Sequence, residues 1–501
     1  MAWELHWDEV RVLDANAEAL GVSVSKLMDA AGKALADNTI NLLDETDETP
    51  VIWLLCGPGN NGGDGYVAAR YISRKLPDAE IVILSSHSKQ KTILSQEVRD
   101  IANDVGLLIH VWDSEKSPED SVFSNPPSII VDSLLGVGVG TKGIEPRGSI
   151  LEILEWISRN SESAKVVACD IPTCLGSERA LIADLTVTFH SQKIGFSEDP
   201  NLGEVIVVPL PWPDETINPG PGDCERYPSF SVDAKKGDRG RVLIVGGGPY
   251  HGAPVISGMA ATRVGCDLVH LVMPSNSSFL IKCPPNIILE KIPDADFLTS
   301  LGAGQIIELM ESRRFASMVI GPGLGRNKST LIAVRTLLQY CKESNIPVVV
   351  DADAIHALAK RDWPDSLSGI ATPHRGEAEA WLEDMDVEEF ISEWSWLRSS
   401  SGPEEFAVII TGSEDKIHGL DGRSCITSGG HPRMAVGGTG DLLAGCLGGL
   451  LAIGMSPWSA ARLGSWLMRE AGILAVDEFG PGLVATDVPP FFSKVLAKHV
   501  K

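Results

Sequence analysis

At 501 residues the chain is too long for a single hydrophobic core, and 44% apolar content is enough for two or three well-buried ones. Its 42 Lys and Arg against 67 Asp and Glu leave a formal charge of −25, which works against nonspecific binding to nucleic acid or to an anionic membrane. Any anionic substrate must therefore be held by local amide dipoles, a bound cation or a few placed side chains. Nine cysteines stand singly, several inside apolar runs (Cys56, Cys169, Cys446), with no CxxC pair and no zinc spacing, so they read as reduced core thiols. The first nine residues lack a basic stretch and an apolar core, so no signal peptide is expected. The longest apolar run, Leu442 to Met455, is glycine-rich and too short to span a membrane. A soluble, cytoplasmic protein is the expectation.

From His6 to Ile40 apolar residues recur at helical spacing, and Gly21 divides them into two helices. Val51 to Leu55 is a strand-type run, followed at once by Cys56-Gly-Pro-Gly-Asn-Asn-Gly-Gly-Asp-Gly65 and a predicted helix from Tyr66 to Leu76. Strand, glycine loop, helix is the phosphate-binding arrangement of doubly wound sheets, although neither GxGxxG nor GK[ST] is present. Further strands are predicted at 81–84, 108–112, 128–132, 165–169, 185–189 and 205–208, which makes a mainly parallel α/β layer. Polar clusters fall where these strands end: Asp132, then Gly136-Val-Gly-Val-Gly140, then Asp170-Ile-Pro-Thr173. Carboxyl ends of parallel strands are where open α/β sheets place their sites.

The Pro- and Gly-rich segment from Leu210 to Asp223 is read as irregular, and the domain boundary is placed there, giving domains 1–215 and 224–501. A second α/β series begins at Arg241-Val-Leu-Ile-Val-Gly-Gly-Gly248. It continues through predicted strands at 269–273, 317–320, 348–351, 370–374 and 407–411, then a hairpin over 416–428 with an Asp-Gly turn. Ala435-Val-Gly-Gly-Thr-Gly-Asp441 then leads into the long apolar run. Its glycines permit positive φ and an anion cradle of amides at a helix start. A carboxylate beside such a cradle would repel a phosphate unless it works on a bound group. A base taking a proton from a hydroxyl, next to amides that stabilise a transferring phosphoryl group, fits both facts; a plain first-turn acid is the competing reading.

Asn60-Asn-Gly-Gly-Asp64 adds two amides and a carboxylate, hard oxygen donors suited to a cation, beside glycines suited to a phosphate. With this loop, Arg11-Val-Leu-Asp14, Leu27-Met-Asp-Ala-Ala-Gly32, Val131-Asp-Ser-Leu-Leu-Gly136 and Asp170-Ile-Pro172, the first half resembles the NAD(P)H-hydrate epimerase family, a Rossmann-like doubly wound domain. The resemblance implies interconversion of the R and S forms of NADH and NADPH hydrated at C6 (NADHX and NADPHX). It implies Asp170 as the acid/base group and a potassium ion on Asn61, Asp132 and Thr173. It also implies dinucleotide binding by Asn60, Asn61, Gly62, Gly63, Asp64, Gly136, Val137, Gly138, Val139, Gly140, Thr141, Lys142 and Asp170. The family usually has Ser-Gly where this chain has Thr173-Cys174.

Lys236-Gly-Asp-Arg-Gly-Arg241, Gly252-Ala-Pro254, Gly321-Pro-Gly-Leu-Gly325, Asp351-Ala-Asp353, Thr372-Pro-His-Arg-Gly-Glu377 and Gly437-Gly-Thr-Gly-Asp441 give the second half a resemblance to ADP- or ATP-dependent NAD(P)H-hydrate dehydratases, of ribokinase-like fold. This implies Asp441 as catalytic base, with Ala253, Gly323, His374 and Asp441 at the substrate. Thr411, Gly412, Ser413, Met434, Gly437, Gly438, Thr439 and Gly440 would lie at a magnesium-bound ADP or ATP that is consumed. A homo-oligomer is also implied. Where the family usually carries a lysine, this chain has Thr411, so one phosphate-neutralising charge is missing from that position.

Overall fold

The computed structural model describes residues 4–44, 49–113, 123, 125–139, 143–160, 163–196, 199–360, 363–364, 366–383, 406–419 and 422–500. Leu420 and Asp421, part of the expected Asp-Gly turn, and the three positions Gly140, Thr141 and Lys142 lie outside them. Two compact units divide the chain, Met1–Thr216 and Ile217–Lys501.

In the first unit the strands are β1 (Val51–Cys56), β2 (Glu80–Ser85), β3 (Ile109–Val111), β4 (Ile129–Ser133), β5 (Lys165–Cys169), β6 (Leu185–Phe189) and β7 (Glu204–Val208). They form one sheet in the order β3-β2-β1-β4-β5-β6-β7, and every described pairing is parallel. Such a sheet is buried on both faces, which is why its strands read as continuous apolar runs. Along β1, Ile52, Leu54 and Cys56 pack with the helices Val24–Asn41 and Asn60–Lys75, while Trp53 and Leu55 pack with Ser149–Asn160 on the other face. The direction of winding reverses between β1 and β4, so the cleft beyond the carboxyl ends of these two strands is the natural ligand position.

One expectation changes here. The helix begins at Asn60, not Tyr66, so Asn60 to Gly65 are its first turns rather than a loop. The glycines serve close packing instead of positive φ. A Cβ at Gly62 would stand 1.9 Å from the Gly57 carbonyl oxygen, and one at Gly63 2.6 Å from Met28 Cε.

The second unit carries β8 (Arg241–Val245), β9 (Leu268–Met273), β10 (Ile287–Lys291), β11 (Ser317–Ile320), β12 (Val348–Val350), β13 (Gly369–Ala371), β14 (Phe406–Ile410), β15 (Asp415–Gly419) and β16 (Ser424–Thr427). Their order is β10-β9-β8-β11-β12-β13-β14-β15-β16, parallel from β10 to β14, with the last two antiparallel. Edge strand β10 escapes the sequence reading because Pro284-Pro285 precedes it and it ends in Glu290-Lys291. The segment read as irregular also holds two short 3₁₀ turns, Asp214–Ile217 and Pro221–Arg226. The second is pinned by Asp223, which accepts from Arg462 Nε at 2.6 Å in a fully buried pair.

The apolar run forms the helix Thr439–Ala452, buried at every position from Leu442 to Ala452, as an all-round apolar helix must be. Glycines let it sit unusually close to its neighbours. A Cβ at Gly445 would lie 1.9 Å from the Ser257 carbonyl oxygen, and one at Gly448 2.1 Å from Val319 on β11. Ser257 Oγ donates to the Asp441 carbonyl at 2.8 Å and Ser317 Oγ to that of Gly448 at 2.7 Å, which fixes the register of the helix. All nine cysteines are free thiols, eight buried and Cys283 half-buried. Among the described residues no helix is long and apolar enough to cross a membrane.

Candidate active sites

The first site assembles beyond β1, β4, β5 and β6. Asp132, on β4 and fully buried, accepts from the Thr173 hydroxyl at 2.6 Å, the Thr173 amide at 2.7 Å and the Leu134 amide at 3.2 Å. Burial nevertheless pushes its carboxyl up to about 6, against the pull of these donors. Thr173 Oγ1 also accepts from Leu135 N at 3.0 Å. Asn61 lies against Gly136, where a Cβ would come within 2.7 Å of its Oδ1, and its Nδ2 is buried without a hydrogen-bond partner among the described residues. Gly62, Gly63 and Asp64 follow in the same helix, and Asn60 accepts from Thr92 Oγ1 at 2.7 Å. Val137, Gly138 and Val139 form a 3₁₀ turn whose Gly138 carbonyl accepts from Arg11 at 2.6 Å.

Asp170 follows β5 with φ +64, a left-handed conformation that asparagine and aspartate tolerate best among non-glycine residues. Cys174 also stands at φ +62, where a glycine would be unstrained. Asp170 Oδ1 accepts from Lys193 Nζ at 2.7 Å and from Thr188 Oγ1 at 3.1 Å. Lys193 is itself only 1% exposed and also donates to Thr188 Oγ1 and the Phe189 carbonyl. Two more acids share this neighbourhood. Asp64 is driven well above the usual carboxylate range by burial, then by Asp170 and Asp14. Asp14 rises to about 7 from burial, then from Asp170, with Lys193 opposing. Neither Lys193 nor Thr188 emerges from the sequence reading. Their signal is positional: both lie at or just beyond the carboxyl end of β6, as Asp170 does for β5.

The second site lies at the carboxyl ends of β8, β11, β12, β13 and β14. Gly438, at φ +101, caps the helix carrying Asp441 in its first turn; of the three glycines expected to allow positive φ, only this one uses it. A first-turn acid is normally stabilised as a carboxylate by the helix dipole. Here burial outweighs that effect, followed by the nearby Asp353, and the Asp441 carboxyl is pushed up to about 6. Asp353 accepts from the Gly325 amide at 2.9 Å and from Arg326 Nε at 3.0 Å, tying the turn after β11 to the one after β12. In that turn Gly323, at φ +69, leaves no room for a side chain: a Cβ would stand 2.0 Å from the Tyr250 carbonyl oxygen. Ala253 opens the helix Ala253–Ala261. His374 caps the helix Arg375–Leu382, its Nδ1 accepting from Glu377 N at 3.2 Å while Glu377 Oε2 accepts from His374 N at 3.0 Å.

A cavity of about 600 Å³ adjoins the start of the helix Thr439–Ala452. Thr411, Gly412, Ser413, Met434, Thr439 and Gly440 all line it, with apolar floor from Leu443 and Met468. Gly437 and Gly438 do not, and neither do Ala253, Gly323, His374 or Asp441. The volume falls in the usual range of small-molecule sites.

Asp351 yields a direct test of these electrostatics. It is buried beneath the site, accepts from Thr372 Oγ1 at 2.7 Å, and its carboxyl is pushed up to about 8 by burial, with Asp441 and Glu377 adding to the rise. A carboxyl whose folded pKa exceeds its unfolded value stabilises the fold below the unfolded value, about 4, and loses that contribution as pH climbs through about 8. Asp351→Asn cannot ionise. Its unfolding midpoint in urea is expected to gain steadily on the wild type between pH 5 and about 8; parallel midpoints across that window would contradict a protonated Asp351.

Two mainly parallel α/β sheets, each with buried carboxylates gathered at its carboxyl edge and one with a glycine-capped helix beside a ligand-sized cavity, define a two-domain α/β enzyme. A family model described as NAD(P)H-hydrate dehydratase matches residues 242–491, and one described as YjeF-related protein N-terminus matches residues 24–195. The chain is 34% identical over 512 residues to the bifunctional NAD(P)H-hydrate repair enzyme Nnr of Methanothermobacter thermautotrophicus, covering 97% of this chain and 94% of that one. It is 33% identical over 489 residues to the protein of the same name from Archaeoglobus fulgidus, covering 96% of each. The chain belongs to the bifunctional NAD(P)H-hydrate repair enzyme family.

Proposed function

We propose that the first unit interconverts R and S NAD(P)H hydrate and that the second dehydrates the S form to NAD(P)H at the expense of ADP or ATP, with the functional division falling between residues 215 and 224. The observation that carries this reading is the half-buried Asp441 in the glycine-capped first turn beside the cavity, its carboxyl pushed to about 6 and therefore ionised but basic at neutral pH.

Hydroxide is a poor leaving group, so direct loss of water from C6 is slow. Asp441 takes the proton of the C6 hydroxyl, the oxygen attacks the terminal phosphorus of the nucleotide, and the bond from that phosphorus to its bridging oxygen breaks. The glycine-rich amides stabilise the charge on the group in transit. The C6–O bond then breaks with inorganic phosphate as leaving group, the ring nitrogen pushing, and a proton lost from C5 restores the double bond. Magnesium, a hard cation, would be held by carboxylate oxygens such as those of Asp441 and Asp353 and would supply positive charge against the nucleotide phosphates.

In the first unit Asp170 protonates the C6 hydroxyl as the ring nitrogen expels it, then takes the proton from the water that returns on the other face. Lys193 keeps the carboxyl oriented through its 2.7 Å bond. For potassium, Asn61, Asp132 and Thr173 supply carboxamide, carboxylate and hydroxyl oxygens of the right hardness, and a bound cation would offset the burial that pushes the Asp132 carboxyl up to about 6. Such an ion would supply positive potential for the dinucleotide phosphates. Homo-oligomeric assembly and a cytoplasmic location belong to the same reading.

The test is incubation of the purified chain with a mixture of hydrated NADH epimers and ADP or ATP. Full recovery of dihydronicotinamide absorbance is expected, because epimer exchange feeds the dehydratase. A stable phosphorylated product with no recovery would indicate a small-molecule kinase instead.

A further inference from the structure

We infer that Arg469 is the positioning cation of the cavity, an inference that rests on the reading of that cavity as the ADP or ATP site. Arg469 projects from the helix Pro457–Phe479 into the cavity wall with its side chain 12% exposed. One terminal nitrogen, Nη1, donates to the carbonyls of Ser413 at 2.8 Å and Gly429 at 2.9 Å. The other, Nη2, donates to the Gly412 carbonyl at 3.3 Å and stands 3.0 Å from Asp415 Oδ1. One planar guanidinium thus ties the turn after β14 to the segment after β16, and both are walls of the cavity. Gly430, at φ +79, lies over the Arg469 stem, where a Cβ would stand 3.3 Å from Cγ.

Asp415 keeps the arginine in place. Its Oδ1 also accepts from Gly412 N at 3.1 Å and its Oδ2 from Ser465 Oγ at 2.6 Å, so the acid is held by three donors, two of them on the one helix Pro457–Phe479. Each carbonyl bonded to Arg469 fixes a whole trans peptide plane, and with it the direction of the amide N–H at the far end. The planes so fixed are those joining residues 412–413, 413–414 and 429–430. A nucleotide polyphosphate entering a protein of net charge −25 needs local positive potential and rigid donors. Thr411, in the same wall, is neutral; Arg469 is the arginine of the lining, with Asp415 beside it as its paired acid. It reaches the cavity from a different helix, far from Thr411 in sequence.

The test uses the full chain and compares binding of ADP and adenosine by calorimetry, alongside steady-state KM values. Arg469→Ala is expected to weaken ADP binding by about tenfold or more while adenosine affinity and the KM for hydrated NADH stay within about twofold. Arg469→Lys, which keeps the charge but lacks the two-nitrogen planar fork that here divides the carbonyls between Nη1 and Nη2, should recover only part of the ADP affinity; this variant carries the test by itself if the alanine variant does not fold. ADP affinity unchanged in Arg469→Ala, equal losses for ADP and adenosine, or complete recovery by lysine would each overturn the assignment. A wild-type chain that binds neither ADP nor adenosine would instead sink the nucleotide reading itself.

Discussion

Asp441→Asn is expected to lower the rate of dehydration by roughly a hundred- to ten-thousandfold, the contribution of a placed general base, while R and S epimers continue to exchange at the wild-type rate. The substitution preserves size and hydrogen bonding but cannot accept a proton from the C6 hydroxyl. The backbone contacts that seat the helix, including the bond from Ser257 Oγ to the Asp441 carbonyl, are untouched, so the fold should persist. The same assignment fixes a pH dependence. Burial and Asp353 raise the Asp441 carboxyl to about 6, and only the ionised form acts as base. Dehydration should therefore fall about tenfold per unit as pH drops below about 6, and the residual activity of the Asn variant should lose that limb. A full acid limb in the variant would assign the titration to another group.

The reverse division follows from Asp170→Asn. Epimer exchange should fall by a similar hundred- to ten-thousandfold, leaving dehydration of purified S hydrate intact. Asparagine tolerates the φ of +64 at this position, so a loss of activity reports on chemistry instead of backbone strain. Chiral chromatography of a single epimer, followed in time without nucleotide, measures the exchange directly. Lys193→Met should slow exchange as well, because it removes the side chain that bonds Asp170 at 2.7 Å and opposes the rise of the Asp14 carboxyl. Loss of both activities from either aspartate variant, with the protein still folded, would dissolve the separation of roles.

The strands of both sheets were legible because parallel strands covered on two faces are continuous apolar runs: Val51 to Leu55 and Arg241 to Val245 declare themselves. Strand β10 was not, since an edge strand with a charged end carries half of that signal. The start of the helix at Asn60 was hidden by glycines whose role is close approach to Gly57 and Met28, a tertiary fact with no local signature. Residues contiguous in sequence, such as Gly437 to Asp441, stand together at one helix start, as their spacing suggests. Lys193 and Arg469 could not be read in that way, because each meets its partners only through the fold. Arg469 lies 56 residues from Ser413, and nothing near either position announces the bond.

The most direct measurement follows inorganic phosphate and dihydronicotinamide together in one reaction of purified S hydrate with limiting ADP or ATP. The account predicts that both appear in a one-to-one ratio, stop when nucleotide is exhausted, and are lost together in Asp441→Asn. Restoration of dihydronicotinamide without nucleotide consumption, or undiminished turnover by the Asp441→Asn enzyme, would contradict it.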